Sequence, residues 1–234
     1  MVTSSKIYKS FIIAMILYSL LVINISLAQC PDPGAVYRPL VGGARIELQP
    51  SLGIIVICTL GFTGYELSQD LKVVSYGIAT AGHCGSVGQY IYQPRVSSNN
   101  HVATVYKDDD RNIDGLYARN TSNTNIINKV LKCSSTGYAR VAGLLTFTEA
   151  EIRLGNGEKI PASKYGAATN ETNGYIDRVY RSLNLGSAVY YYQLFVRGMR
   201  AGPGDSGSPV YEDPYAGQCV AFEPDVRQQE YFGE

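Results

Sequence analysis

The sequence carries little charge and no bias in its sign: 20 Lys+Arg stand against 20 Asp+Glu in 234 residues, and only 17% of positions are charged. A basic nucleic-acid binder and an acidic solvating tail both lose their electrostatic support. No phosphate loop, His-Glu-x-x-His or paired Cys-x-x-Cys occurs, which removes common signatures of phosphate and zinc chemistry. Histidine is nearly absent, at two residues, and long helical periods are missing. What is present is 45% hydrophobic residues with 24 Gly, 19 Tyr and 6 Phe, a composition that favours many short strands joined by tight turns and excludes whole-chain disorder.

The single long apolar run, Phe11 to Ile23, follows Lys6 and Lys9 and precedes Ser26-Leu27-Ala28. This reads as a signal peptide over residues 1–28, cleaved after Ala28 and implying a secreted, extracellular protein with no stable membrane association. Asn24, Ser19 and Ser26 make the run a poor membrane span. Export allows the five cysteines at most two bridges, with one thiol left over. Asn120-Thr121-Ser122 and Asn170-Glu171-Thr172 are candidate glycosylation sequons, which would place both on the surface.

Strand signals recur after a short segment at 29–39. The β-branched run within Gly53 to Phe62 predicts a buried strand, and further strands are expected at Val73–Ala81, Gln89–Pro94, His101–Tyr106 and Asp114–Ala118. The polar stretch Thr121 to Asn128 reads as a linker. Beyond it, strands are expected at Tyr138–Leu145, Tyr175–Tyr180, Val189–Val196 and Ser208–Tyr211, with Thr148–Leu154 as a short helix or a turn. The expected architecture is all-β: two small antiparallel barrels, over 40–125 and 126–234.

His83 lies in Thr80-Ala81-Gly82-His83-Cys84, at the end of an apolar strand that can present its side chain rigidly. Ser206 lies in Gly204-Asp205-Ser206-Gly207, where glycines on both sides permit a tight turn whose N–H groups converge on one point. A serine hydroxyl becomes a nucleophile when an imidazole takes its proton, and the imidazole needs a carboxylate to fix its tautomer. Asp114, heading the apolar Gly115-Leu116-Tyr117-Ala118, is the candidate; Asp108, Asp109 and Asp110 are rivals within a charge run. His101 is expected at the surface, and Tyr190-Tyr191-Tyr192 as a strand face.

At these residues the chain resembles the chymotrypsin-like serine peptidases, in particular the streptogrisin-type branch. The likeness spans about Leu40 to Val210: Leu40-Val41-Gly42-Gly43, Cys58 followed by Ala79 to Cys84, Asn112-Ile113-Asp114, Lys164 to Thr169, and Pro203 to Gly207. The resemblance implies a trypsin-like double barrel of Greek-key topology, with a His83, Asp114 and Ser206 triad in the cleft between barrels. It further implies an oxyanion hole from the Gly204 and Ser206 N–H groups, a Cys58–Cys84 bridge, and a monomer that cleaves protein or peptide substrates without metal or organic cofactor. Cys30 is then the expected odd cysteine. Lys164 stands where the branch carries an arginine, so a Lys164–Asp205 pair is expected, with an inserted amino terminus as the alternative partner for Asp205.

Two departures bear on function. Arg200 stands where the branch has a cysteine, near the expected specificity pocket. Only 28 residues follow Ser206, and a Ser-Gly-Gly pocket strand is not recognisable among them; Gln218 to Phe222 could start one before Glu223-Pro224 breaks it. The second barrel is therefore expected to be incomplete at its C-terminal end. A secreted binding module that uses the cleft for recognition alone stands beside the endopeptidase as the alternative reading.

Overall fold

The structure is a computed structural model that describes residues 30–109, 113–121, 123–185, 188–215 and 218–222. The expected signal peptide, Asp110, Ser122 of the first sequon and Glu223-Pro224 lie outside the described residues. In chain order the first strands are β1 (Leu40–Gly42), β2 (Arg45–Ser51), β3 (Ile54–Thr59), β4 (Thr63–Leu67) and β5 (Val73–Ala81). They are followed by β6 (Tyr90–Tyr92), β7 (His101–Asp109) and β8 (Gly115–Asn120). Then come β9 (Ile126–Leu131), β10 (Tyr138–Leu145), helix α1 (Phe147–Gly155) and β11 (Ile160–Gly166). The last are β12 (Asn170–Leu185), β13 (Ala188–Arg197), β14 (Val210–Tyr215) and β15 (Gln218–Phe222).

These strands form two sheets in the expected all-β, double-barrel arrangement. One has seven strands in the order β3-β2-β6-β7-β8-β5-β4 and the other eight in the order β1-β9-β10-β15-β14-β11-β12-β13. Period-2 alternation explains how each sheet covers a core. In β8, Leu116 and Ala118 point inward and join Ile46, Leu48, Ile78, Ile91 and Val105 in the first core. The second sheet buries Leu145, Ile160, Ile176, Leu194 and Val210 around Phe147 and Ala150 of α1. Between the sheets, Phe62 packs on Val130, Ala139 and Tyr211, so the two halves share apolar contact and do not merely sit side by side.

Several expectations are revised. The linker expected at Thr121–Asn128 is already strand from Ile126, because Ile126 packs onto the first core and Ile127 onto a separate cluster of Val41, Ala44, Leu131 and Tyr165. β1, at the head of the expected first half, pairs in parallel with β9, burying Leu40 and Val41. A second parallel pairing, β10 with β15, interrupts the otherwise antiparallel pattern. The short helical candidate is a two-and-a-half-turn helix: the Thr146 hydroxyl accepts from Glu149 N–H at 3.2 Å, and Glu149 and Arg153 sit at the ends that complement the helix dipole.

Cys30 is not the odd cysteine. It is bonded to Cys133, while Cys58 is bonded to Cys84 as the resemblance implied. The reason lies in residues 31–37, which carry no strand or helix signal: the Pro33 carbonyl accepts from Arg45 N–H at 2.8 Å, Tyr165 Oη donates to the Pro31 carbonyl, and Gln93 Oε1 accepts from Tyr37 N–H at 3.0 Å. The segment is thereby laid across both sheets, and Cys30 meets the end of β9.

Candidate active site

His83 sits in the 3-10 turn Gly82–Cys84 that continues β5. Two constraints hold that turn: the Cys58–Cys84 bridge to β3, and the Gly82 N–H, which donates to the Asp114 carbonyl at 2.8 Å. Asp114 immediately precedes β8 and lies in the left-handed region at φ 49°, a conformation that aspartate tolerates better than most residues. Its carboxylate accepts the His83 backbone N–H at 2.9 Å and faces Nδ1 with both oxygens, Oδ2 at 2.9 Å and Oδ1 at 3.0 Å. The Asp114 side chain is only 9% exposed, whereas the imidazole is 54% exposed, so the acid is sheltered while the base is open to solvent. His83 Nε2 is 2.8 Å from Ser206 Oγ.

Ser206 lies in the turn before β14, docked against the first sheet. The Ser206 carbonyl accepts from Thr59 N–H at 2.8 Å, and Thr59 Oγ1 donates to the Gly204 carbonyl at 2.8 Å. Gly207 has φ +81°, and a Cβ there would stand 2.0 Å from Thr80 Oγ1 and 2.7 Å from the Thr59 carbonyl oxygen, so only glycine allows this approach. Among the described residues neither the Gly204 nor the Ser206 N–H donates to a protein group. Gly202, Gly204 and Gly207 also fit the Gly-x-Gly-x-x-Gly spacing, but strand β14 follows them where a nucleotide site would need a helix.

Asp205 is buried beneath this turn and has Lys164, equally buried, as its counter-charge at 2.8 Å. Its remaining lone pairs are satisfied by the Ala168 N–H at 2.9 Å, the Thr169 N–H at 3.2 Å, the Thr169 hydroxyl at 2.7 Å and the Gly202 N–H at 3.0 Å. Burial by itself would raise this carboxyl, but the hydrogen bonds from Lys164 and Thr169 and the ammonium charge outweigh it and hold the group below its ordinary range. Burial pushes Lys164 downward, against the pull of Asp205. Gly166 closes the pocket: a Cβ there would fall 2.2 Å from Asp205 Oδ1.

The other sequence expectations distribute as follows. Asp108 and Asp109 lie on β7, opposite Leu116 and Gly115, and it is Asp114 that reaches the imidazole. His101 is half-buried rather than superficial, because Tyr90 and Tyr92 pack against its ring at 4.4 and 5.9 Å and its Nε2 meets the Ala103 carbonyl at 3.0 Å. Tyr190 is buried on β13 while Tyr191 and Tyr192 are exposed, Tyr192 edge-on to Phe147. Arg200 is exposed, and its carbonyl accepts from the Thr172 hydroxyl at 2.8 Å. Asn170 is exposed at the β11–β12 turn, whereas Asn120 is half-buried and donates to the Thr124 carbonyl at 3.0 Å. Thr59, Thr80 and Thr169 were not foreseen; threonine in or beside a strand carries no signal that separates a support from ordinary sheet packing.

No protein-family profile matches the chain, and no curated protein matches it in sequence. Solved structures match it in fold. Nocardiopsis protease (NAPase) aligns at a TM-score of 0.54 with 24% identity, covering 76% of this chain and 80% of its own. The chymotrypsin of Cellulomonas bogoriensis gives 0.52 at 21% identity, over 76% and 79%, and Thermobifida fusca protease A gives 0.53 at 21%, over 76% and 79%. The fold is thus that of the chymotrypsin-like serine proteases. The double-barrel fold that the resemblance implied is thereby borne out.

Proposed function

We propose that the protein is a secreted serine endopeptidase that cleaves protein or peptide substrates through Ser206, His83 and Asp114. The observation that carries this reading is the unbroken chain of contacts from Asp114 through His83 Nδ1 and Nε2 to Ser206 Oγ. Ser206 Oγ attacks the scissile carbonyl while its proton passes to His83 Nε2, and Asp114 stabilises the imidazolium. The carbonyl oxygen, now anionic, is held by the N–H groups of Gly204 and Ser206, each donor typically being worth about 2.7 to 4 kcal/mol. The proton then moves from Nε2 to the departing amine, leaving an acyl-enzyme. Water then attacks the acyl carbonyl carbon as His83 Nε2 takes its proton, the C–Oγ bond breaks to release the carboxylic acid, and Ser206 Oγ recovers a proton from His83.

Two disulfides and the leader-like residues 1–28 support export to an oxidising compartment. Gln218–Phe222, the segment that could open a pocket strand, is a strand between β14 and β10, which favours the enzyme over a cleft used only for binding. A fluorophosphonate probe tests the assignment: wild-type protein is expected to be labelled at Ser206 and Ser206→Ala to remain unlabelled. Equal labelling of the two would refute it.

A further inference from the structure

Thr59, the last residue of β3, is fully buried, and every polar group it has is engaged at the Ser206 turn or its supports. Its N–H donates to the Ser206 carbonyl at 2.8 Å. Its hydroxyl donates to the Gly204 carbonyl at 2.8 Å and accepts from Ala167 N–H at 2.9 Å, and its own carbonyl accepts from Thr80 Oγ1 at 2.7 Å. The two carbonyls it holds belong to the peptides on either side of the Asp205–Ser206 peptide. That middle peptide is fixed by Ser208, whose N–H and Oγ both donate to the Asp205 carbonyl, at 2.9 and 2.6 Å. Three successive peptide planes are therefore tied down at their oxygens. The Gly204 plane alone depends on a side-chain hydroxyl from the first sheet.

We propose that Thr59 is a positioning residue for acyl transfer, its hydroxyl bridging Gly204 and Ala167 so that the N–H groups of Gly204 and Ser206 stay aimed at the developing oxyanion. The inference rests on the peptidase reading above and extends it to a residue that touches neither substrate nor the reacting atoms. Replacing the hydroxyl by a methyl leaves the buried Gly204 carbonyl and the part-buried Ala167 N–H without this partner, and the loop relieves them by turning. A shift of about 0.5 Å in such donors is enough to weaken their hold on the transition state.

The experiment is saturation kinetics of fluorophosphonate labelling at Ser206, in which Oγ forms the bond to phosphorus, fluoride leaves and the hydroxyl proton passes to His83. Wild type, Thr59→Ser, Thr59→Val and Thr59→Ala are compared by the maximal labelling rate and by the half-saturating probe concentration. Thr59→Val is expected to lower the maximal rate by about 10- to 100-fold, a fraction of the loss from deleting one oxyanion donor, with the half-saturating concentration within about threefold of wild type. Thr59→Ser is expected to restore the wild-type rate. A structural role alone would reduce the fraction of protein labelled but leave the rate of that fraction unchanged, and this result would overturn the proposal. Thr59→Ala, smaller and equally without hydroxyl, takes the place of valine if the latter does not fold. Slow labelling of Thr59→Ser would also overturn the proposal, since its hydroxyl is intact. Unlabelled wild type would instead refute the peptidase reading itself.

Discussion

At the scale of single residues, the Lys164–Asp205 pair and the Asp114 carboxylate carry the sharpest consequences. Removing the ammonium with Lys164→Met strands a charge beneath the Ser206 turn, so a loss of about 3 to 5 kcal/mol in unfolding free energy is expected, measured by urea denaturation. Lys164→Arg should also destabilise, because the ammonium is fully enclosed between Asp205 and the Thr169 hydroxyl at 2.7 Å and the larger guanidinium must displace one of them. The Asp205 carboxyl is held below its unfolded value, so its contribution is complete above the unfolded pKa of about 3.9 and is lost as pH falls through the lower folded value. Thermal melts across pH 2 to 6 should therefore show stability falling on the acid side, with a shallower fall in Asp205→Asn. Asp114→Asn keeps the shape but disturbs the imidazole tautomer, and a decrease in turnover of about 10⁴-fold is expected in a steady-state peptidase assay. Asp205 and Asp114 were legible because each sits in a short chemical motif, and Lys164 through the family resemblance. Thr59 was not, since its role exists only where β3 meets a turn almost 150 positions away.

Among the elements, legibility followed apolar and β-branched runs, although β3, expected to be buried, exposes Ile54, Ile55 and Ile57 and buries only its end at Cys58 and Thr59. Val73–Ala81 and Tyr138–Leu145 emerge with the bounds that their apolar runs suggested. β11 carries little strand signal, because Pro161 argues against a central strand; in the sheet, β14 pairs with β11 only at Ser163 and Lys164, so the proline costs no hydrogen bond there. β12 runs 16 residues, far past the segment its hydrophobicity marked, because β11 pairs with it from Asn170 to Ile176 and β13 from Tyr175 to Leu185, supplying the order that its polar side chains do not. The turn before β14 is the element on which the site depends. Gly207→Ala should undock it, and at least a 100-fold loss in Ser206 labelling rate is expected alongside little change in α1, whose helix signal by circular dichroism serves as the control; the cause is the 2.0 Å approach of the new Cβ to Thr80 Oγ1.

For the whole molecule, residues 30–39 and the Cys30–Cys133 bridge join the amino-terminal segment to the second sheet across 103 positions. Chain-entropy arguments put a loop of that size at about 4.7 kcal/mol and the Cys58–Cys84 loop at about 3 to 4 kcal/mol. The double variant Cys30→Ser/Cys133→Ser is accordingly expected to unfold at distinctly lower temperature by calorimetry while retaining Ser206 labelling when folded, because the bridge lies on the side of β9 and not at His83. Loss of labelling in the folded double variant would contradict this separation. Local composition and spacing determined the all-β class and singled out the imidazole and the hydroxyl, and the family resemblance of its motif implied the Cys58–Cys84 pairing, since each is written in a few adjacent residues. Only the tertiary structure decided which aspartate faces His83, which cysteine takes Cys30, and that Thr59 clasps the Ser206 turn, because those partners are chosen by how two sheets pack, and distance along the chain carries no record of that.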